Sequence, residues 1–180
     1  RWRSPTRLAS SCLSRDDAPP GLPPHDSLDI ARRSRHGEGR CTDPQLPTGP
    51  ENLVRRAAAA FHERLGGPPQ AYRIHLENNI PRGAGLGGGS ADAAAVLRAL
   101  NGLAGPPLDA AGLRSLAEVL GSDVPFLVEG GTALVRGRGE VLEPLVWSGE
   151  VWYLLAYPGV GVSTAWAYQQ IRPGLTPASP

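Results

Sequence analysis

The chain contains 180 residues, with 18 arginines, no lysine and 17 aspartates and glutamates, so its formal net charge at pH 7 is +1. A charge so close to zero excludes any general electrostatic drive toward nucleic acid or an anionic membrane. No apolar run approaches the roughly twenty residues that cross a bilayer, and the first residues carry no signal-peptide pattern, so we expect a cytoplasmic protein.

The composition changes near residue 48. Residues 1–48 hold eight arginines with many prolines and serines, and apart from weak fragments around 28–31 they show almost no strand or helix periodicity. We expect this segment to be disordered or to come from out-of-frame translation. Its two cysteines, Cys12 and Cys41, indicate no disulfide framework, and the sequence contains no zinc-ligand spacing. Residues 49–158 are predicted to form an α+β domain with a mixed sheet, and 159–180 to begin a linker.

Within the predicted domain, helical and strand patterns alternate. The first predicted helix has Asn52 at its start, a residue type that caps helices well. Its inner face would be Leu53, Ala57, Phe61 and Leu65. The helices are expected near 52–65, 90–101 and 110–120, and the strands at 71–77, near 131–136 and at 151–157.

A glycine-packed loop leads into the second of these helices. Glycine lacks a Cβ, so such a loop can bring its backbone amides against a ligand, and the helix behind it adds unpaired amides and the positive end of its dipole. The pattern predicts a phosphate-binding segment, in which Ser90 either caps the helix or reaches a phosphate or metal ion. The predicted segment consists of Pro81, Arg82, Gly83, Ala84, Gly85, Leu86, Gly87, Gly88, Gly89, Ser90 and Ala91.

Four other interpretations of this glycine loop fit less well. A flexible linker is not normally opened by Ile80-Pro81 and closed by an amphipathic helix. Gly83-x-Gly85-x-x-Gly88 matches the dinucleotide fingerprint, but that motif should follow an apolar strand directly, and residues 77–82 intervene. A Walker loop needs a lysine, which the chain lacks. The protein-kinase motifs His-Arg-Asp and Asp-Phe-Gly do not occur either.

Asp123 is the candidate catalytic residue. The helix before it is predicted to end at Gly121, and Pro125 is expected to prevent the chain from continuing as helix, which leaves the aspartate in a turn. A carboxylate placed in this way suits a base that accepts a proton from a substrate hydroxyl. The alternative is an ordinary solvated turn aspartate. Arg136 and Arg138 could pair with phosphate, but the glycines beside them favour a strand-end turn in which both charges are solvated.

The motif that begins at Pro81, Pro-x-Gly-Ala-Gly-Leu-Gly-Gly-Gly-Ser, resembles the ATP loop of the GHMP small-molecule kinases. Four further segments are similar to the family's and occur in its order over about residues 49–170: one before the loop, at 51–57, and three after it, at 120–126, 130–140 and 157–164. The resemblance implies the ribosomal protein S5 domain 2-like fold, with helices on one side of a mixed sheet, and ATP and Mg²⁺ as cofactors. It also implies that Asp123 is catalytic and that Asn52 contacts the nucleotide in addition to capping its helix.

Within this family, the triple glycine followed by Ser-Ala-Asp-Ala-Ala is most similar to members that phosphorylate a cytidine diphosphate-methylerythritol in non-mevalonate isoprenoid (terpenoid) biosynthesis. The implied partner is a small-molecule substrate. Such members begin with Pro-Ala-Lys-x-Asn-Leu and Asp-Gly-Tyr-His, and both motifs are missing here. We also expect most of the family's second domain to be missing. We therefore expect a fragment or a gene with a damaged front. The alternatives are a GHMP kinase for homoserine, mevalonate or a sugar, or an inactive nucleotide-binding remnant.

Overall fold

The computed structural model describes residues 7–9, 27–33, 38–66, 71–149 and 151–171. Within this part of the chain, no helix is both long and apolar enough to cross a membrane. The elements are β1 (Arg7–Ala9), β2 (Ser27–Arg33), β3 (Glu38–Cys41), α1 (Leu53–Leu65), β4 (Ala71–Glu77), α2 (Gly88–Leu103), α3 (Ala110–Glu118), α4 (Val124–Glu129), β5 (Ala133–Arg136), β6 (Val141–Pro144) and α5 (Thr164–Gln169).

The main sheet has the strand order β1-β2-β4-β3. β2 pairs antiparallel with β4, with Ile30 opposite Ile74, whereas β3 pairs parallel with β4 and is joined to it through α1. The sheet is therefore mixed, which confirms the predicted α+β class. β1, β2 and β3 lie in a region where the sequence pattern predicted no regular structure. Their pairing with each other and with β4 outweighs a weak local preference, as is common for strands.

Helix α2 lies at the centre of the core. Ala93, Val96, Leu97 and Leu100 are fully buried, which confirms the apolar face predicted for this helix. Burial of a side chain the size of leucine or valine contributes about 1.5–3 kcal/mol. α2 packs against both α1 and α4. Asn101 fixes the connection to α3, because its Nδ2 donates to the carbonyl of Leu108 at 2.8 Å and its Oδ1 accepts from the amide of Leu108 at 3.0 Å. The core therefore supports α2, the helix that begins at the glycine loop.

Several predicted boundaries and faces differ from the structure. The buried residues of α1 are Val54, Ala57 and Phe61, whereas Leu53 is half-buried and Leu65 is 38% exposed. The buried face begins at Val54, one residue later than predicted, because Val54, Ala57 and Phe61 have the i, i+3, i+7 spacing of one helical face. α2 begins at Gly88, two residues earlier than predicted. α3 ends at Glu118 instead of residue 120.

The strand predicted at 151–157 was wrong. Residues 151–163 contain no strand, and Trp152 and Leu154 are 90% and 96% exposed. An apolar segment forms a strand only where a neighbouring strand offers hydrogen bonds. Within the described residues, the preceding strand β5 pairs with β6 and not with 151–157. β6 was not predicted. It pairs antiparallel with β5, the strand predicted near 131–136. The two strands form a hairpin, and residues 137–140 connect them.

Candidate functional site

A cavity of about 850 Å³ opens between the start of α1, the glycine loop, the start of α2 and residues 156–168. It brings together residues that are far apart in the sequence. Its lining includes Asn52, Asp123 and every residue of the predicted phosphate segment from Pro81 to Ser90, whereas Ala91 does not line it. The two candidate chemistries, a phosphate loop and a carboxylate, therefore face one space.

Three glycines give the loop its path. Gly83, Gly85 and Gly87 have φ of +66°, +73° and +70°, a region that residues with a Cβ rarely occupy. Gly87 is the N-cap of α2, and its carbonyl accepts the first helical hydrogen bond, from Ala91, at 2.9 Å. The amides at the start of α2 have no partner within the helix, because no residue precedes them at the required spacing. The loop and helix together thus form a backbone surface suited to an anion.

Ser90 does not cap α2. It is the third residue of the helix, and the N-cap, Gly87, offers no side chain to the first-turn amides. The apolar spacing that begins at Ala93 placed the helix start at Ser90, but Gly88 and Gly89 already have helical conformation. Ser90 is half-buried and lines the cavity. Its hydroxyl can therefore serve a ligand.

Arg82 is held by the loop that follows β3. Its Nε lies 3.1 Å from Oδ2 of Asp43, Nη1 donates to the carbonyl of Gln45 at 3.0 Å, and Nη2 donates to Oε1 of Gln45 at 2.7 Å. Asp43 also accepts from the amide of Gln45 at 2.8 Å through Oδ1. Three of the guanidinium's donors are thus engaged within the protein. In this arrangement Arg82 ties the glycine loop to residues 43–45.

Asn52 uses both ends of its side-chain amide within the protein. Oδ1 accepts from the amide of Val54 at 2.8 Å, and Nδ2 donates to the carbonyl of Pro47 at 2.6 Å. The geometry is that of a helix cap, which agrees with one of the two roles expected from the sequence. The contact with a nucleotide stays a prediction. Asn52 nevertheless lines the cavity, so the start of α1 forms part of its wall.

Asp123 is the N-cap residue of α4, and its side chain makes no capping hydrogen bond. The expectation that Pro125 stops helical structure was wrong. Pro125 lies in the first turn of α4, where its missing amide hydrogen costs nothing and its fixed φ favours helix. Asp123 is exposed and lines the cavity. Its carboxylate is therefore accessible to a substrate hydroxyl.

Two contributions to the cavity were not identified from the sequence. Asp92, only 2% exposed, lies on α2 within the lining. Its occurrence among the apolar residues Ala93 and Val96 of α2 was an available signal. The other contribution is the segment 156–168, whose Val162 amide donates to the carbonyl of Gly83 at 3.0 Å. No group of three or more His, Cys, Asp or Glu side chains suited to a metal occurs among the described residues.

Comparison with known proteins agrees with the fold and the motifs. Residues 52–131 match the family described as GHMP kinases N terminal domain. Among curated proteins, the chain is 49% identical over 149 residues to a Synechococcus 4-diphosphocytidyl-2-C-methyl-D-erythritol kinase, covering 82% of this chain and 47% of that protein. It is 48% identical over 154 residues to the Pelotomaculum thermopropionicum protein of the same name, covering 85% and 53%. The chain thus spans about half the length of these relatives.

Two solved structures resemble the chain along most of its length. A crystal structure of 4-(cytidine 5'-diphospho)-2C-methyl-D-erythritol kinase has a TM-score of 0.60 and 33% identity, covering 94% of this chain and 63% of that one. Homoserine kinase from Cytophaga hutchinsonii has a TM-score of 0.63 and 25% identity, covering 86% and 54%. Residues 52–131 are thus a GHMP kinase N-terminal domain, and the chain belongs to the GHMP kinase family.

Proposed function

We propose that the chain carries the nucleotide-binding part of an ATP-dependent kinase for 4-diphosphocytidyl-2-C-methyl-D-erythritol. The observation that carries the proposal is the shared cavity, which is lined by the glycine loop, by the start of α2 and by Asp123. Phosphoryl transfer depends mainly on positioning and on charge stabilisation. A backbone surface for phosphate beside an accessible carboxylate meets both needs.

The glycine loop would hold the triphosphate. The positive φ angles of Gly83, Gly85 and Gly87 turn the backbone without side chains that would fill the space. The amides at the start of α2 and the positive end of its dipole would then stabilise the phosphate charge. This role needs no lysine, unlike a Walker loop, and is therefore compatible with a chain that has none.

Asp123 would act as the general base. The substrate's 2-hydroxyl oxygen forms the new bond to the γ-phosphorus, the bond from that phosphorus to the bridging oxygen of ATP breaks, and ADP leaves. The hydroxyl proton passes to the Asp123 carboxylate. That carboxylate is exposed in the cavity and is not used as a helix cap, so it is available for this proton.

The cavity fits a magnesium ion that is held mostly by the nucleotide. Ser90, Asp92 and Asp123 line the cavity and provide oxygen atoms, which Mg²⁺ prefers, and protein sites commonly supply only one or two carboxylates beside substrate phosphates. The lack of a larger acidic cluster in the described part of the chain agrees with that mode. When bound, Mg²⁺ neutralises charge on the β- and γ-phosphates.

The choice of acceptor needs a direct test, because the homoserine kinase structure is also similar in fold. The cytidylyl substrate is favoured because the curated relatives at 48% and 49% identity both carry that name. Acceptor-dependent ADP release should be measured with the cytidylyl substrate and with homoserine. Two proteins should be tested: the unmodified chain, and a hybrid in which residues 49–171 replace the matching segment of the Pelotomaculum relative.

We expect the hybrid protein to release ADP with the cytidylyl substrate and to show no release above background with homoserine. Calorimetry should detect nucleotide binding to the unmodified chain. If ADP were released with homoserine and not with the cytidylyl substrate, homoserine would be the acceptor and the proposed substrate would be wrong. A folded hybrid that binds no nucleotide would instead reject the kinase assignment for these residues.

A further inference from the structure

The turn of the β5–β6 hairpin touches the residue immediately before Asp123. Gly139, in this turn, is buried and has φ +123°. A Cβ placed on it would lie 2.7 Å from the carbonyl carbon of Ser122 and 3.0 Å from its Cα, and would overlap its carbonyl oxygen. The two backbones are therefore in direct contact. Only glycine allows this approach together with this φ.

The turn is braced from within. The amide of Arg138 donates to Oε2 of Glu140 at 2.6 Å, and the amide of Gly139 donates to the carbonyl of Arg136 at 3.2 Å. Hydrogen bonds from backbone amides, first its own and then that of Arg138, lower the pKa of Glu140. At its base, the turn is closed by the pairing of Arg136 with Val141. The turn that contacts Ser122 is thus held in one conformation by its own hydrogen bonds and by the strand pairing at its base.

The other side of the Ser122–Asp123 backbone is held by α4. The amide of Val124 donates to the carbonyl of Gly121 at 3.2 Å, and the amide of Leu127 donates to the carbonyl of Asp123 at 3.2 Å. Val124 is fully buried in the core. Asp123 therefore lies between a helix anchored in the core and the hairpin turn. Its own side chain has no hydrogen bond to the α4 cap that would hold it.

We propose that Gly139 is a positioning residue for Asp123, and that the hairpin turn 137–140 sets the backbone from which the carboxylate enters the cavity. The proposal rests on the role proposed for Asp123. A side chain at position 139 would push Ser122 away and displace the carboxylate, whereas the glycine loop would be unchanged. A displacement of about 1 Å at a reacting group can cost about 10²-fold in rate.

The test compares Gly139→Ala with Gly131→Ala in the unmodified chain. Gly131 also has a positive φ, +79°, but a Cβ there meets nothing within 4 Å, so this variant separates backbone strain from contact with Ser122. Three quantities should be measured: the NMR shifts of the Asp123 amide and carboxyl carbon, the affinity for an ATP analogue, and the thermal unfolding midpoint.

We expect Gly139→Ala to shift the Asp123 signals, with nucleotide affinity within about twofold of the parent. Gly131→Ala should leave Asp123 unchanged. If Gly139→Ala does not fold, the isosteric Glu140→Gln replaces it, because it weakens the acceptor of the Arg138 amide. It should shift Asp123 in the same direction.

The proposal is overturned if folded Gly139→Ala, or Glu140→Gln in its place, changes only the signals of residues 136–141. It is also overturned if Gly131→Ala shifts Asp123 as much as Gly139→Ala does. The Asp123 signals can be followed without nucleotide. A failure of ATP binding in the parent chain would therefore count against the proposed function and not against this contact.

Discussion

The backbone amide of Val162 donates to the carbonyl of Gly83 at 3.0 Å, which joins the glycine loop to the segment before α5. The two backbones approach closely, since a Cβ on Gly83 would lie 3.1 Å from the Cα of Gly161. The glycine loop is thus supported by Gly161 and Val162, which lie nearly eighty positions further along the sequence. Its shape depends on this contact as well as on its own glycines.

The first prediction separates contact from backbone strain in the glycine loop. Gly83→Ala introduces both the φ penalty and the close approach to Gly161, whereas Gly85→Ala introduces the φ penalty alone, because a Cβ there meets nothing within 4 Å. Positive φ costs an L-residue about 1–2 kcal/mol. We expect calorimetry to show the larger loss of ATP affinity for Gly83→Ala. Equal losses would mean that the segment 160–162 does not shape the loop.

The second prediction concerns Arg82, which was expected from the sequence to contact the nucleotide. In the structure its guanidinium is bonded to Asp43 and Gln45. If it acts by fixing the loop, Asp43→Asn should lower nucleotide affinity in the same direction as Arg82→Gln. The effects should be small, since a half-exposed ion pair contributes about 0.2–1 kcal/mol.

A direct phosphate contact predicts a different outcome for the same pair of variants. Removal of the Asp43 charge would then leave affinity unchanged or raise it, because Arg82 would be released toward the phosphate. Calorimetry at two salt concentrations adds a check, since a direct charge contact loses strength as salt rises.

The third prediction tests Asp123 as the base. In the hybrid described above, Asp123→Asn should keep ATP affinity within a small factor and lower turnover by about 10²-fold or more. The matched control is Asp109→Asn, since Asp109 caps α3 by accepting from the Gly112 amide at 2.8 Å and lies outside the cavity lining. Turnover of Asp123→Asn within about threefold of the parent would assign Asp123 a structural role.

The fourth prediction is a dependence of stability on pH that arises from His62. Its ring stacks on Tyr72 at 5.2 Å between centroids, and its Nε2 is buried without a hydrogen-bond partner. Burial lowers the pKa of His62 below its usual range, so the unfolded chain binds the proton more readily than the folded one. The associated stability is present above the ordinary histidine pKa and is lost as pH falls below it.

His62→Phe keeps an aromatic ring against Tyr72 and removes the titration. Urea unfolding from about pH 8 to about pH 5.5 should show that the parent loses stability faster than His62→Phe as pH falls. The difference between the two proteins at the upper pH measures packing and the removal of the buried, unpaired Nε2, without any contribution from titration. Parallel pH profiles would show that His62 does not titrate with folding.

The sequence predicted those parts of the site that depend on local pattern. The core face of α2 follows from the spacing of Ala93, Val96, Leu97 and Leu100, and all four are buried. The glycine loop and Asp123 were placed by motif, and the structure brings both to one cavity. Periodicity and motif spacing are local, so they identify elements well.

Features that depend on distant contacts could not be predicted in this way. The short strands β1 and β3 form only because they have partners in the sheet. The bonds of Arg82 to Asp43 and Gln45 join positions 37 or more apart. The segment 151–157 shows the opposite error, because its apolar pattern predicted a strand for which the described chain offers no partner.

The last prediction concerns the chain by itself. Large apolar side chains between positions 145 and 171 are widely exposed, among them Val146, Trp152 and Leu154, each at least 90% exposed. Exposed apolar side chains in this number favour an interaction with another surface or association between chains. We therefore expect the purified chain to bind an apolar fluorescent dye and to bind ATP only weakly. It should show no ADP release with the cytidylyl substrate above about 0.1 s⁻¹, well below the median for enzymes. Members similar to this chain carry a lysine in Pro-Ala-Lys-x-Asn-Leu, which is outside the glycine loop and is missing here, and an arginine guanidinium does not replace a compact ammonium at a shaped site. A coupled assay that finds faster, substrate-dependent release from the unmodified chain would show that its own residues suffice for catalysis.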